Sequence, residues 1–302
     1  MEKNINNLSP KVSVIIPTYN RPQLIRRALK SVLSQTYQNI EVIIIDGSPN
    51  NETEKVIQPY LTDSRIRYFH ELDVHTNTVK DRGKIAKARN RAVRIAQGKY
   101  IAPLDDDDFW CDRDKLEKQI KFLEEYPDYT LCGGGVIVLN EENPQKILES
   151  VKLYPNKDEE IRRAMLIGDI FTTSTIVFKK KDWEIVGGYD AIHPLGEDWD
   201  FYLKLGKLGK LYNFQEPFVC FSLSQQNIPL ITKYGRECVK NAFRIIFQYR
   251  NDYPNFYRSL LFNLIIYLYS FLPSPFRKLI RPIRTKIKHS FLKKVGISEE
   301  FS

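Results

Sequence analysis

The stretch Tyr100-Ile101-Ala102-Pro103-Leu104-Asp105-Asp106-Asp107-Asp108 decides the fold class of this 302-residue chain. Its first five residues are apolar and form a strand-length segment, and the aspartates end it because Asp is depleted from strands. Four adjacent carboxylates repel one another unless a cation or hydrogen-bond donors offset their charge. The run therefore predicts the carboxyl end of a buried strand, where open α/β sheets bind ligands. The alternative is a solvated charge cluster that leads into the next helix, for which Asp112 and Asp114 are suitable cap and first-turn residues.

Strand and helix signals alternate on both sides of this stretch. Strands are predicted at residues 12–16, 42–45, 65–69 and 100–104, and helices near residues 22–34, 52–60, 84–96 and 113–125. This alternation predicts an α/β fold with a Rossmann-like, mostly parallel sheet flanked by helices. In a parallel sheet the carboxyl ends of the strands share one edge, so residues 17–21, Asp46 and the four aspartates should form one rim.

The second half of the chain is less regular. Strands are predicted at residues 130–139, 173–178, 211–214 and 218–221, and helices at residues 180–186 and 198–208. The Gly133-Gly134-Gly135 triplet is interpreted as a bulge or a tight backbone contact rather than a ligand contact. Helices near residues 234–250 and 255–272 follow. The sequence thus predicts an α/β domain over residues 10–225 and a basic, C-terminal helical extension over residues 226–302.

The net charge of +9 is concentrated at the C-terminus. From Ser274 to Ser302 there are eight basic residues and two acidic ones, which leaves +3 for the rest of the chain. Binding of nucleic acid by this tail is an alternative function, and it would show steep salt dependence. The tail has no recognised reading motif and the acidic rim would repel phosphate, so we expect no nucleic-acid partner.

The spacing of the cysteines and the lengths of the apolar segments favour a cytoplasmic protein. The four cysteines are widely spaced without a CxxC motif, which favours free thiols in a reducing compartment over a structural zinc site. No signal peptide is expected, and the stretch Leu260–Leu272 is shorter than the roughly 20 residues of a spanning helix. That stretch and the basic tail are typical of a segment lying peripherally on an anionic membrane surface. A helix packed on the main domain with a solvated tail is the other interpretation.

Several motifs in order resemble one enzyme family. They are PTYNR at residues 17–21, IIIDGS at 43–48, GKIAKARNRAV at 83–93, GKYI at 98–101, LDDDDFW at 104–110, GGYD at 187–190 and GEDWDF at 196–201. Over about residues 11–225 the chain resembles the inverting family 2 glycosyltransferases with the GT-A fold, of the bacterial surface-polysaccharide type. The resemblance implies transfer of a sugar from a nucleotide-diphosphate sugar to a hydroxyl of a glycan or lipid-linked acceptor. It says nothing about oligomeric state.

The resemblance also implies roles for individual residues. Contacts to the nucleotide and its phosphates would come from Pro17, Thr18, Tyr19, Arg21, Asp46, Lys84, Arg89, Asp105 and Asp106. An Asp46 carboxylate can accept a hydrogen bond from a uracil imide N–H, which favours a UDP donor. Lys84, Arg89 and Asn90 have an alternative interpretation as an exposed basic helix face.

Two acidic motifs would carry the chemistry. Asp107 would bind Mn²⁺ or Mg²⁺, which neutralises charge on the departing diphosphate. Asp198 would be the general base that takes the proton of the acceptor hydroxyl, and in-line attack with one base implies inversion at the anomeric carbon. Alternatively, Glu197 and Asp198 only complement the start of a helix. Trp110, Tyr189 and Trp199 are candidate acceptor platforms or core residues.

The chain departs from the family pattern in two places. Gly47 follows Asp46 directly, where a second aspartate is common, and the segment from Phe221 to Asn227 has no Arg or His near the expected diphosphate. His193 is interpreted as a loop residue rather than a late metal ligand. A glycosyltransferase-like binding protein without activity is an alternative, whereas a dinucleotide oxidoreductase is disfavoured because no GxGxxG follows the first strand.

Overall fold

The structure is a computed structural model that describes residues 11–72, 83–140, 150–193, 195–223 and 235–271. The strands are β1 (Val12–Thr18), β2 (Ile40–Asp46), β3 (Ile66–His70), β4 (Tyr100–Pro103), β5 (Phe109–Trp110), β6 (Tyr129–Asn140), β7 (Ser150–Lys152), β8 (Val177–Lys179) and β9 (Lys210–Leu223). The helices are α1 (Pro22–Leu33), α2 (Glu52–Ile57), α3 (Gly83–Ile95), α4 (Lys115–Glu125), α5 (Asp158–Ala164), α6 (Lys180–Val186), α7 (Glu197–Leu208), α8 (Gly235–Gln248) and α9 (Phe256–Tyr269). Short 3₁₀ turns cover Gln58–Tyr60 and Thr173–Thr175.

Over these described ranges the strands form one sheet in the order β3-β2-β1-β4-β8-β6-β9-β5, with β7 paired to β6. Strands β1 to β4 are mutually parallel, so their carboxyl ends share one edge. The second half is mixed: β9 runs parallel to β6, whereas β5, β7 and β8 pair antiparallel with their neighbours. The predicted α/β fold with helices flanking the sheet is confirmed, and the antiparallel pairings complete it.

Burial on both faces explains the apolar composition of the central strands. Every residue of β1 and β2 is buried. Ile43 and Ile45 point into one core cluster and Val42 and Ile44 into the other, as the alternation of side chains along a strand requires. A parallel sheet covered by helices on both faces needs such uninterrupted apolar runs.

Three local predictions change in the structure. The two strands expected at residues 211–214 and 218–221 are one continuous strand, β9, and residues 173–175 form a 3₁₀ turn ahead of β8. The short strand β5 was not expected after an acidic run. The prediction for the glycine triplet is confirmed, since the β6–β9 register shifts there and a Cβ on Gly134 would collide with the Phe218 ring.

The C-terminal helices pack on the same core as the sheet. Ile245 and Ile246 of α8 and Phe262 of α9 belong to the cluster that contains Ile43 and Ile45 of β2. This arrangement confirms the predicted C-terminal helical extension. Among the described residues no helix combines the length and apolarity needed to cross a membrane. The predicted boundary between residues 225 and 226 and the basic tail lie outside the described residues.

Candidate active site

The ends of β1 and β4 meet at the acidic run. Thr18 Oγ1 donates a hydrogen bond to Asp106 Oδ2 at 2.7 Å. Arg21, which precedes α1, donates to Asp106 Oδ1 at 3.0 Å and to Asp107 Oδ2 at 2.8 Å. The predicted meeting of Thr18, Arg21 and the aspartates at one rim therefore occurs, because parallel pairing of β1 with both β2 and β4 brings their carboxyl ends together.

Crowding in this run opposes full ionisation. Burial, followed by the charge of Asp107, raises the pKa of Asp106 to about 7, against the lowering effect of Arg21 and Thr18. Burial and the charge of Asp105 also raise the pKa of Asp107. At an effective dielectric of about 20, two like charges about 4 Å apart repel by about 4 kcal/mol. An added cation at this rim would relieve that repulsion.

Asp108 belongs to the protein interior rather than to the rim. Its Oδ2 accepts a hydrogen bond from Ser174 Oγ at 2.5 Å, and Oδ1 is buried without a partner. Ser174 Oγ also accepts from the backbone N–H of Asp105 at 3.1 Å. Burial and the charges of Asp107 and Asp105 hold the Asp108 pKa well above its usual range. Ser174, held by Asp108, thus fixes the backbone from which Asp105 projects.

Arg89 joins the acidic run to the second acidic motif. It lies on α3 and is 2% exposed. Its two terminal nitrogens donate to Asp105 Oδ1 at 2.7 Å and to Glu197 Oε1 at 3.1 Å. Both ends of the guanidinium are taken by carboxylates, which argues against the predicted contact with a phosphate. Arg89 instead holds together two motifs that lie 92 residues apart in the chain.

The acidic pair begins helix α7, where the positive end of the helix dipole favours carboxylates. Burial, followed by the charge of Asp198, raises the pKa of Glu197 to about 7, although Arg89 opposes this. Burial also raises the pKa of Asp198. Asp198 Oδ1 accepts from the Trp199 backbone N–H at 2.8 Å. A half-buried carboxylate with a raised pKa, within electrostatic reach of Asp105, is suited to accept a proton.

Asp169 is a residue of this region that the sequence did not reveal. Its side chain is accessible to solvent but surrounded by protein, and this surrounding, followed by the charge of Asp198, raises its pKa well above the usual range. Asp169 Oδ1 accepts from the Phe171 backbone N–H at 3.1 Å. A lone Asp between Gly168 and Ile170 carries no motif, so only the tertiary fold shows that it lies near the acidic pair.

Asp46 is fully buried at the end of β2. Its Oδ1 accepts from the Ser48 backbone N–H and hydroxyl at 2.8 and 2.5 Å, and Oδ2 accepts from Tyr68 Oη at 2.8 Å. Burial and the Asp46 carboxylate raise the Tyr68 pKa above its ordinary value. A base edge would therefore have to replace Tyr68 to reach Asp46. Tyr68 is a rim residue that the motifs did not identify.

The remaining residues predicted to contact a nucleotide are Pro17, Tyr19 and Lys84. Pro17 is buried in β1 opposite Ile45, and Tyr19 is half-buried just after that strand. Lys84 is half-buried in the first turn of α3. Their contacts with a nucleotide stay predictions.

The aromatic residues proposed as acceptor platforms are core residues. Trp110, Tyr189 and Trp199 are all buried, and the two indoles donate to the Ser174 and Met165 carbonyl oxygens at 2.9 and 2.6 Å. Burial removes these rings from any surface that an acceptor sugar could reach. That interpretation is therefore wrong.

The loop before α7 is anchored from two sides. Asn90 donates to the Tyr189 carbonyl oxygen at 2.8 Å and accepts from the Tyr189 N–H at 2.9 Å. Gly188 has φ +74°, and a Cβ there would collide with Asn90 and Trp183. His193 contacts Asp190, with 2.5 Å between Nδ1 and Oδ2, as expected of a loop residue. This anchoring fixes the chain that leads to Asp198.

The rim fits a divalent cation held partly by substrate. Among the residues that the structure describes, no three His, Cys, Asp or Glu side chains gather into a complete metal cluster. Mg²⁺ and Mn²⁺ accept hard oxygen ligands, and Mg²⁺ often takes only one or two carboxylates together with substrate phosphates. Asp105 and Asp107 are the half-buried members of the run and offer such oxygens, although Arg89 and Arg21 each bind one of them. Asp106 and Asp108 are buried.

Comparison with known proteins agrees with these motifs. Residues 13–186 match the family model described as glycosyl transferase family 2. A Bacillus subtilis protein named as a glycosyltransferase, EpsE, is 30% identical over 213 residues, which cover 70% of this chain and 72% of EpsE. TuaG of the same organism, named for teichuronic acid biosynthesis, is 39% identical over 122 residues, covering 40% of this chain and 45% of TuaG. The chain spans only 38%, 38% and 33% of the length of three Rickettsia relatives.

Solved structures share the fold. Residues 1–349 of TarS from S. aureus, in complex with UDP-GlcNAc, superpose with a TM-score of 0.62 at 17% identity, covering 95% of this chain and 82% of that one. The mannosyltransferase PcManGT from Pyrobaculum calidifontis, in complex with GDP-Man and Mn²⁺, gives 0.62 at 18% identity, covering 96% and 87%. These likenesses confirm the GT-A fold. Together with the match over residues 13–186 they establish that the chain belongs to glycosyl transferase family 2.

Proposed function

We propose that the chain transfers a sugar from a nucleotide-diphosphate sugar to a hydroxyl of a glycan or lipid-linked saccharide, with inversion at the anomeric carbon. One observation carries the proposal: Arg89 binds Asp105 at 2.7 Å and Glu197 at 3.1 Å. The donor-side acids and the acidic pair thus border one site. Transfer from a bound donor to an acceptor hydroxyl requires the donor-side acids and the acidic pair to lie beside the same reacting atoms.

Asp198 is the proposed general base. It would accept the proton of the acceptor hydroxyl while that oxygen attacks the anomeric carbon and the bond to the diphosphate breaks. The pKa of Asp198 is raised toward neutral pH, which increases its affinity for a proton and suits a general base. Glu197, paired with Arg89, would position the start of α7 rather than take the proton. Attack opposite the departing diphosphate gives inversion.

The rim is the proposed donor site. Thr18 and Arg21 hold Asp106 and orient Asp107, and Pro17, Tyr19 and Lys84 border the same edge. Asp107, with Asp105 beside it, would hold Mn²⁺ or Mg²⁺. When bound, such a cation supplies Lewis-acid stabilisation of the negative charge on the diphosphate. Thr18 and Arg21 hold the carboxylates of Asp106 and Asp107 in position at the strand ends.

UDP is the favoured donor nucleotide. The Asp46 carboxylate would accept a hydrogen bond from the uracil imide N–H. For this, Tyr68 would have to release its 2.8 Å hydrogen bond to Asp46. Among proteins of the same fold, TarS binds UDP-GlcNAc and PcManGT binds GDP-Man. The fold therefore accommodates both bases, and the base preference is open to direct measurement.

The proposed acceptor class is supported by one relative. TuaG is named for teichuronic acid biosynthesis, which supports a glycan acceptor. A lipid-linked acceptor would place this protein at the cytoplasmic face of a membrane.

A thermal-shift panel tests the donor proposal. The full chain is heated with UDP-, GDP-, CMP- and dTDP-sugars, each with and without Mn²⁺. Binding to the native state raises the melting temperature by mass action, so a UDP-sugar with Mn²⁺ should give the largest shift. Absence of a shift with every nucleotide sugar would overturn the proposal. A shift without release of nucleotide in the presence of any glycan acceptor would indicate a binding protein instead.

A further inference from the structure

Helix α9 exposes apolar side chains to solvent. Tyr257, Leu261, Leu264 and Leu268 are between 43% and 82% exposed, and Phe271, two residues past the helix end, is 51% exposed. Arg258 is the only charged residue among the exposed positions of α9. A helix on the surface of a protein normally presents polar residues to water. Something apolar therefore fits the outer face of α9.

The inner face of the same helix mixes apolar and polar side chains. Phe262 is 5% exposed and belongs to the core, but this face also carries Asn263, which is 6% exposed, and the fully buried Ser259. Asn263 Nδ2 donates to the Ser259 carbonyl oxygen at 3.0 Å. The buried face of α9 thus includes polar side chains while four large apolar ones face outward.

The exposed residues form one continuous stripe. At 100° per residue, positions 257, 261, 264, 268 and 271 fall within an arc of about 80°, and at 1.5 Å per residue they extend over about 21 Å. We call these five residues the α9 stripe. A straight apolar stripe of this kind matches a flat apolar boundary or another helix.

We propose that the α9 stripe lies in the interface of an anionic lipid bilayer. Anionic lipid is favoured as the partner of the stripe because the sequence that follows the stripe is basic. The 31 residues that follow Phe271 include eight basic and two acidic residues, and they begin at the end of the stripe. Apolar burial combined with Lys and Arg attraction to anionic lipid is the energetics of interfacial attachment. Tyr257 is of the amphipathic aromatic type enriched at such interfaces.

A second copy of the chain is a weaker occupant. A two-fold interface through the α9 stripe would place identical patches against each other. It would join two chains whose tails each carry a net charge of +6, and like charges oppose association. An anionic surface has the opposite effect on the same charges.

The position of the stripe connects it to the candidate active site; this step rests on the proposed function. Helix α9 packs on α8. Asn241 and Arg244 of α8 contact Leu195 and Asp190, in the loop that leads to Asp198. Packed helix axes lie about 8–10 Å apart. Attachment through the stripe would connect that loop, through α8 and α9, to the lipid surface where a lipid-linked acceptor is presented.

Vesicle co-sedimentation of the full chain tests the proposal. The probes are phosphatidylcholine vesicles with and without phosphatidylglycerol. The test variant is Leu264→Gln with Leu268→Gln, and the matched control is Ile185→Gln with Leu208→Gln, which changes two equally exposed aliphatic residues elsewhere. We expect binding to anionic vesicles that falls at least about tenfold in the test variant and stays unchanged in the control. Added salt should weaken it.

Other occupants give different results. A dimer by light scattering that the test variant dissociates would assign the stripe to a second copy and overturn the proposal. Absence of vesicle binding, with a lower melting temperature of the test variant in lipid-free buffer, would assign it to the chain's own tail. Nucleotide release with a soluble acceptor is measured in parallel. Failure of the unmodified full chain to bind anionic vesicles, with turnover intact, refutes only the membrane proposal, whereas vesicle binding without turnover refutes only the proposed function.

Discussion

The acidic run Asp105–Asp108 and the acidic pair Glu197-Asp198 contain the same functional group in different surroundings. In the run, Asp106 and Asp107 accept three hydrogen bonds from Thr18 and Arg21, so their positions are fixed by side-chain donors. In the pair, Asp198 accepts from one backbone N–H. Burial and mutual repulsion raise the pKa values of Asp106 and Asp107, but the side-chain donors and the Arg21 charge oppose the rise and fix the carboxylates in place, which suits binding. A half-buried carboxylate with fewer donors keeps its affinity for a proton, which is the property a base needs.

The largest expected effect separates these two roles. Asp198→Asn removes the proton acceptor without changing the shape or the donor rim. We expect turnover to fall by about 10²–10⁴-fold, the usual contribution of a positioned base, with donor affinity unchanged. Nucleotide release and donor titration measure the two quantities. Asp128→Asn, at an exposed carboxylate paired with Lys210, is the control and should retain turnover. Loss of donor affinity in Asp198→Asn would show that the pair is part of the donor site.

Arg89 connects the two clusters, and its removal tests that connection. Arg89→Lys keeps one charge but cannot bond Asp105 and Glu197 in two directions, because an ammonium lacks the planar fork. Leaving a buried charge unpaired costs about 3–5 kcal/mol, so the free energy of unfolding should fall by up to that amount. Denaturant titration measures it.

The matched control lies two residues away on the same helix. Arg91 is 42% exposed and pairs with Glu71 at 2.9 Å. Arg91→Lys should cost less than about 1 kcal/mol, because exposed ion pairs contribute little. Equal losses in the two variants would contradict the view that Arg89 links the clusters.

The sequence predicted the run better than it predicted its surroundings. Apolar strands ending just before Pro17, Asp46 and Asp105 follow from periodicity, and parallel pairing then places those ends together. Asp169 and Ser174 could not be predicted, because their interactions with Asp198 and Asp105, 29 and 69 positions away, exist only after β6 and β8 insert into the sheet. The same limit applies to Arg89. Its charge was visible in the sequence, but its two partners depend on how α3 packs.

A third prediction concerns the run alone. Asp107→Asn removes a carboxylate that faces the rim, so the stabilisation by Mn²⁺ should disappear. A ligand at 100 times its dissociation constant stabilises a protein by about 2.7 kcal/mol, and the melting temperature reports that gain. Asp114→Asn, at an exposed aspartate that starts α4, should keep the Mn²⁺-dependent shift. A shift that survives in Asp107→Asn would place the cation elsewhere.

The smallest expected effect concerns the protonation of Glu197 in the acidic pair. The Glu197 pKa is raised from 4.5 to about 7, so between these values the folded state keeps a proton that the unfolded chain has released. The resulting stabilisation is fully present below pH 4.5 and is lost as the pH rises through about 7. Glu197→Gln should therefore remove about 1–3 kcal/mol of the fall in unfolding free energy over this range. Denaturant titrations at several pH values measure the slope. Glu159→Gln, at a carboxylate that faces water, should leave it unchanged. An unchanged slope in Glu197→Gln would mean that Arg89 keeps Glu197 ionised, and the contrast between the two clusters would then rest on Asp198 alone.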